Sequence, residues 1–357
     1  MPSLFDPLSI GDMTLPNRVV MAPLSRLRAG TNKIPTPLMA DYYAQRASAG
    51  LIISEGVQVS PQGVGYDAAP GVWSKDQVEG WKRVTRAVRR AGGRIFMQIF
   101  HAGRVSDPLL LDGALPVAPS AIAPEGHVKL LRPQRPFVTP RALTANEIPK
   151  IVESFRQGAQ QAEAAGFDGV EVMAANGYLL DQFLQDHSNT RGDGYGGSAE
   201  NRARLLFEVT DAAASVWGPT RVGVHLAPRG DANSMGDSNP EATFGYVTRE
   251  LGRRNIGFIC VREKVGPDSL GPRLKVAFGG AYIANEGFTR QSAQASLDSG
   301  WADAVAFGKA FLANPDLPSR MRADAPLNAP NPDTFYGGGA EGYVDYPALE
   351  ESCCSSN

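Results

Sequence analysis

What most constrains the fold of this chain is a rhythm. Short β-branched or apolar runs recur between longer segments of helical period, the pattern of repeated βα units around a parallel sheet. About eight such runs are present: Arg18–Met21, Leu51–Glu55, Arg94–Phe100, Gly169–Met173, Arg221–Leu226, Phe258–Arg262, Ala281–Ala284 and Ala304–Phe307. That number matches a closed (β/α)₈ TIM barrel of the α/β class.

Helices are expected between the runs at Thr36–Ala49, Asp76–Ala91, Ala145–Ala165, Ser198–Val216, Asn239–Arg254 and Thr289–Ser299. Several open on a capping Thr, Asp, Asn or Ser. Ahead of the first run, Leu4 to Pro16 carries two apolar pieces around Gly11–Asp12, which reads as a hairpin plugging the barrel bottom. The Pro-rich stretch Leu115–Arg141 has no helical period and is too long for a plain connection. It predicts a lid-like excursion after strand three, over the active-site end.

A chain of 357 residues suits one such barrel, so residues 1–350 are expected to form a single domain and 351–357, small and polar, a flexible tail. Apolar residues at 43% and charged ones at 20% permit a large buried core. The formal net charge of −2 gives no footprint for nucleic acid or an anionic membrane, so the expected partner is a small molecule. No basic leader with an apolar run opens the sequence, which predicts a soluble cytoplasmic protein. Three cysteines, Cys260 with the adjacent Cys353 and Cys354, offer neither a disulfide framework nor metal-ligand spacing.

In these barrels the reactive groups follow the C-terminal ends of the strands. After strand one, Pro23, Leu24 and Ser25 offer backbone groups and a hydroxyl to a flat ligand, or simply form a tight turn. Gln98 on strand three offers an amide able to pair with a ring that both donates and accepts, or is a satisfied core residue. After strand four, Asn176 and Tyr178 bracket a glycine and should share one pocket. Tyr178 is the natural proton donor there, against the alternative of a ring packed over the barrel mouth. Around strands seven and eight, Asn285, Gly287, Gly308 and Lys309 suit a phosphate, although a lysine there is often only a solvated surface group. A lone phosphate with no acidic dinucleotide fingerprint implies a mononucleotide cofactor.

Metal chemistry is disfavoured, because His101, His127, His187 and His225 never fall at ligand spacing. Lys264, just past strand six, keeps a Schiff-base aldolase open as a different enzyme class.

Together these pieces resemble the Old Yellow Enzyme family, with likeness running from Leu4-Phe5-Asp6-Pro7 to Tyr343-Val344-Asp345-Tyr346-Pro347 and nearest to the bacterial xenobiotic and nitrate-ester reductases. The carrying segments are Asn17 to Leu24, Asp41 to Ile52, Asn176 to Leu184, Tyr195 to Arg202, Asp303 to Phe307 with Asn314 to Leu317, and Phe335 to Gly339. The resemblance implies FMN at the barrel mouth, NADPH or NADH as reductant, and hydride transfer to an activated alkene, nitro compound or nitrate ester. It implies further that Pro23, Leu24, Ser25 and Gly56 line the flavin, that Gln98 binds its pyrimidine edge, and that Gly287, Gly308 and Lys309 hold its phosphate. Tyr178 matches the family's proton donor and Asn176 one member of its oxygen-binding pair, while Tyr66 and Tyr336 are aromatic walls.

The chain also departs from the family's pattern. Met173 stands where a His or Asn is the other oxygen-binding residue, and a thioether donates no hydrogen bond. Phe100 stands where Trp is common, Gly56 where Ala is common, and Asp107 where relatives often have His. His225 occupies the place of an arginine beside the flavin, with Arg229 as a possible substitute. Met173 therefore leaves open weak enone reduction with an altered substrate, a biosynthetic isomerase or dehydrogenase, and a catalytically lapsed FMN-binding protein. The expected assembly is a monomer or homodimer.

Overall fold

The computed structural model describes residues 1–349. Cys353, Cys354 and the tail assigned to 351–357 fall outside them. Eight parallel strands close into a barrel. They are β1 Val19–Met21, β2 Leu51–Gln58, β3 Ile95–Phe100, β4 Gly169–Ala174, β5 Val222–Leu226, β6 Phe258–Arg262, β7 Ala281–Asn285 and β8 Ala304–Phe307. Neighbours in sequence are neighbours in space, and β8 closes against β1 through Val305–Val19 and Phe307–Met21. All eight expected strands are present. The main difference is β2, which runs three residues further, through Gln58, past a bulge between Ile53 and Gly56.

Side chains alternate in and out of the barrel. Val20, Leu51, Ile53, Phe96, Phe258, Cys260, Ile283, Ala304 and Ala306 fill the lower interior as one apolar cluster. The hairpin formed by Leu8–Ile10 and Met13–Leu15 caps that cluster with Ile10, Met13 and Leu15. Its turn needs Gly11, whose φ is +57° and where a Cβ would lie 2.4 Å from that of Thr220. The outward residues pack under helices α1 Pro37–Gln45, α2 Lys75–Arg90, α3 Ile148–Ala164, α4 Ala199–Trp217, α5 Pro240–Arg253, α6 Gly271–Phe278 and α7 Arg290–Asp298. Helix α6 escaped the sequence reading because it starts at Gly271-Pro272 with no side-chain cap and spans only two turns.

The excursion after β3 is pinched at its base where Val117–Ala118 pairs with Arg141–Ala142. Arg104 donates to the Ile122 carbonyl at 3.1 Å and Arg191 to the Pro119 carbonyl at 3.0 Å, which ties the stretch to the barrel rim. From that base it reaches back over the barrel mouth.

Candidate active site

One cavity of about 830 Å³ opens at the C-terminal ends of the strands. Pro23, Leu24, Ser25, Gly56, Tyr66, Gln98, Phe100, Met173, Asn176, Tyr178, His225, Asn285, Gly287, Gly308, Lys309 and Tyr336 all line it. The residues expected to bind flavin and substrate therefore meet in one place. The excursion contributes His127, Lys129, Leu130, Arg132 and Gln134, and the end of β6 contributes Arg262, which the sequence reading passed over. The inward alternation Phe258, Cys260, Arg262 was the available signal.

Alternation also explains the layering. One residue pair above the apolar plug, Gln98, Glu171 and His225 point inward as a polar floor, with Cys260 at the top of the apolar cluster beside them. Gln98 Nε2 donates to Glu171 Oε2 at 2.7 Å, and His225 Nδ1 lies 3.4 Å from the same oxygen. Only an N–H would face that carboxylate, so the remaining Gln98 oxygen is an acceptor. Glu171 Oε1 and His225 Nε2 are buried and have no protein partner. Atoms of this kind in a cavity floor call for a polar ligand. The Glu171, His225 and Cys260 ligand atoms all lie within 4.8 Å of one another, a grouping that histidine spacing did not reveal. Burial pushes the Cys260 thiol well above its ordinary value, so it stays protonated.

The upper layer carries Tyr178. β4 ends at Ala174, and the chain turns through Asn176 at φ +59° and Gly177 at φ +77° into a short helix at Leu179–Leu184. Asparagine tolerates that left-handed backbone better than most residues. A Cβ on Gly177 would lie 2.7 Å from the Ala232 carbonyl oxygen. Asp181 Oδ2 accepts the Gly177 N–H at 2.8 Å, and burial raises its carboxyl to about 7. The turn delivers Tyr178 to the cavity, where its hydroxyl meets that of Tyr66 at 3.0 Å. Its ring meets Phe100 edge-on at 5.0 Å between centroids. Burial, then the nearby Tyr66, hold the Tyr178 phenol well above its ordinary range, so it is a protonated donor. Met173, only 5% exposed, packs in the same cluster as Phe100, Ala102, Ala175 and Ala227.

Tyr336 comes from a C-terminal strap. Arg26 Nε donates to the Phe335 carbonyl at 2.9 Å and its NH2 to the Gly342 carbonyl at 2.8 Å. Arg28 donates to the Gly339 and Thr334 carbonyls, both at 3.0 Å. Tyr343 stacks on Tyr42 at 4.1 Å. Beneath the strap, Glu55 Oε2 accepts the Arg26 N–H at 3.1 Å, and burial raises its carboxyl to about 7.

Two expectations are corrected. Arg229 does not stand in for His225: its Nε pairs with Glu263 at 2.6 Å, and it lies outside the cavity lining. Lys264 is exposed and borders a neighbouring cleft, so nothing desolvates it as a Schiff-base lysine requires. Asp107 is also away from the cavity. It caps the turn at Pro108–Leu110 and receives Arg135 of the excursion at 3.3 Å.

The mouth suits a flat, phosphate-bearing ring system. Glu171 and His225 hold unpartnered polar atoms beneath it, and Lys309 makes no ion pair among the described residues. Gly56 keeps clear a place where a Cβ would lie 3.0 Å from the Phe100 ring. Residues 3–328 match the NADH:flavin oxidoreductase / NADH oxidase family model. A probable flavin mononucleotide-dependent alkene reductase of Leishmania infantum is 43% identical over 97% of both chains. 12-Oxophytodienoate reductase 2 of Arabidopsis thaliana is 42% identical over 98% of this chain and 96% of that protein. Among solved structures, morphinone reductase in complex with tetrahydroNAD superposes with a TM-score of 0.95, at 49% identity and 98% coverage of each chain. The Old Yellow Enzyme homologue from Zymomonas mobilis gives 0.95, at 44% identity over 98% of this chain and all of that one.

Fold and relatives together define an FMN-dependent oxidoreductase built on a (β/α)₈ barrel. Within that class the chain belongs to the NADH:flavin oxidoreductase / NADH oxidase family, the Old Yellow Enzyme family. No described helix is long and apolar enough to cross a membrane.

Proposed function

We propose that this protein takes hydride from NADPH or NADH and passes it to a small activated acceptor, a nitro compound, nitrate ester or activated alkene. Residues 1–350 act as one FMN-binding unit in this reading. The observation that carries it is the Tyr178 hydroxyl, buried and protonated in a cavity whose floor presents unpartnered polar atoms.

FMN supplies hydride acceptance and donation when bound. Gln98 and His225 would hold its polar ring edge, Pro23, Leu24, Ser25 and Gly56 its flank, and Asn285, Gly287, Gly308 and Lys309 its phosphate. Tyr66, Phe100 and Tyr336 pack an acceptor, and the excursion shields it from water. Asn176 donates to the acceptor's oxygen. Tyr178 gives its proton to the carbon adjacent to the activating group and is reprotonated through the Tyr66 hydroxyl. Met173 supplies no donor, so a single ketone oxygen is held from one side only, and simple enones turn over slowly.

The test is anaerobic titration of the yellow protein with NADPH and with NADH, then mixing with nitro compounds, maleimides and enones while following flavin absorbance. Bleaching followed by acceptor-driven reoxidation supports the reading. Bound FMN that neither nicotinamide reduces would refute it in favour of an isomerase or a binding protein.

A further inference from the structure

The cavity contains one strong donor that the family comparison does not assign. Arg262 ends β6, points inward by the alternation of its strand, and lines the mouth beside Asn176. Its Nε donates to Glu286 Oε2 at 2.5 Å and its NH1 to Asn176 Oδ1 at 2.7 Å. Glu286 is held in a left-handed backbone at φ 102°, between Asn285 and Gly287. Such strain in a side-chain-bearing residue persists where its surroundings over-determine it, as at ligand clamps. The ion pair is thus fixed by the same loop that shapes the cavity.

Two consequences follow from the chemistry of guanidinium. It only donates, so the Asn176 atom facing it is the oxygen, and the Asn176 amide N–H groups are left for a ligand. It also carries five N–H groups, of which these two contacts use two, and its side chain, which lines the cavity, remains 40% exposed.

We infer that Arg262 is the second substrate-oxygen donor of this site, taking over with Asn176 the role that Met173 does not fill. A donor pair from a planar fork and an amide fits a group with two oxygens better than one ketone oxygen. Among the acceptors proposed above, the nitro group of a conjugated nitroalkene is the one that reports this donor pair. Hydride adds at its β-carbon, the alkene π pair moves onto the nitro oxygens, and Tyr178 delivers a proton to the α-carbon to give the nitroalkane. The deprotonated Tyr178 regains its proton from solvent through the Tyr66 hydroxyl. This inference rests on the hydride-transfer reading above.

The test uses FMN-loaded protein and β-nitrostyrene as probe, comparing wild type, Arg262→Met, Arg262→Lys, Asn176→Ala and the Arg262→Met/Asn176→Ala double variant. The dissociation constant is read from perturbation of oxidised-flavin absorbance, where no turnover occurs. Reoxidation by β-nitrostyrene and by cyclohexenone is read separately. Arg262→Met should weaken β-nitrostyrene binding about tenfold to a hundredfold, the loss expected for a charged hydrogen bond. Arg262→Lys should fall between, since it keeps the charge without the fork, and it carries the test if the Met variant does not fold. The loss should persist in the Asn176→Ala background.

If Arg262→Met adds nothing to Asn176→Ala, Arg262 only orients the amide and the inference fails. Unchanged binding in both single Arg262 variants, with wild-type turnover intact, also overturns it and leaves the proposed function standing. Wild-type protein whose reduced flavin is not reoxidised by any acceptor sinks the proposed function instead. A wild type that does not bind β-nitrostyrene sinks the inference.

Discussion

Replacing Met173 by histidine puts a hydrogen-bond donor back where the site has none. The position is an inward one on β4, in register with His225 on β5 and only 5% exposed. Its neighbours Phe100, Ala102, Ala175 and Ala227 are apolar, with the Tyr66 and Tyr178 hydroxyls at the edge. A positioned donor to a developing oxyanion is worth about 2.7–4 kcal/mol. At 1.36 kcal/mol per decade, the lower figure is roughly a hundredfold in rate. The imidazole's second nitrogen would be buried without an assured partner, costing about 1–3 kcal/mol. That cost falls on folding and is common to ground and transition states, so it lowers stability without reducing the rate gain. The expected result is a variant somewhat less stable than wild type that reoxidises with cyclohexenone at least about tenfold faster, allowing for imperfect placement. β-Nitrostyrene, already held by two donors, should gain far less. Stopped-flow reoxidation of NADPH-reduced protein measures both. A folded, FMN-loaded Met173→His protein with an unchanged enone rate would refute the argument that the missing donor limits enone reduction.

Further outcomes are expected. Tyr178→Phe should slow alkene-dependent reoxidation by about 10²–10⁴-fold, and much more than it slows flavin reduction, in the same apparatus. Asp181→Asn should flatten the pH dependence of stability. The folded carboxyl stands at about 7 against 3.8 in the unfolded chain, so the folded state holds the proton more tightly. Stability therefore falls as pH rises between those values, Asp181 contributing up to about 4 kcal/mol, and urea titrations across that range would show a shallower slope in the variant, the remainder coming from the raised Glu55 carboxyl. Arg28→Ala removes donors to strap carbonyls and should cost about 2–4 kcal/mol in stability, raise KM for bulky acceptors, and open residues near 334–342 to limited proteolysis.

The barrel was legible because strand runs of β-branched and apolar residues alternate with capped helices, and β6 and β8 begin and end where the pattern puts them. The site was legible because a barrel gathers its strand ends in one ring, so residues read separately had to meet. Arg229 was misread for a local reason. Proximity in sequence to His225 says nothing of direction, and Glu263 offered it a partner outside the mouth. Arg262 was missed because an arginine at a strand end looks like a solvated terminus until its inward register is counted. The strap's anchorage was invisible for another reason. Its bonds run from Arg26 and Arg28 to backbone carbonyls some three hundred residues away, and carbonyls have no sequence signature.

That strap has a consequence in the order of synthesis. The barrel closes once β8, ending at Phe307, has paired with β1. The wall bearing Tyr336 is made afterwards and docks on arginines from the first barrel loop, which leave the ribosome well before it. A growing chain thus acquires a closed barrel before a roofed one, and during that interval the polar floor lies open to an entering cofactor.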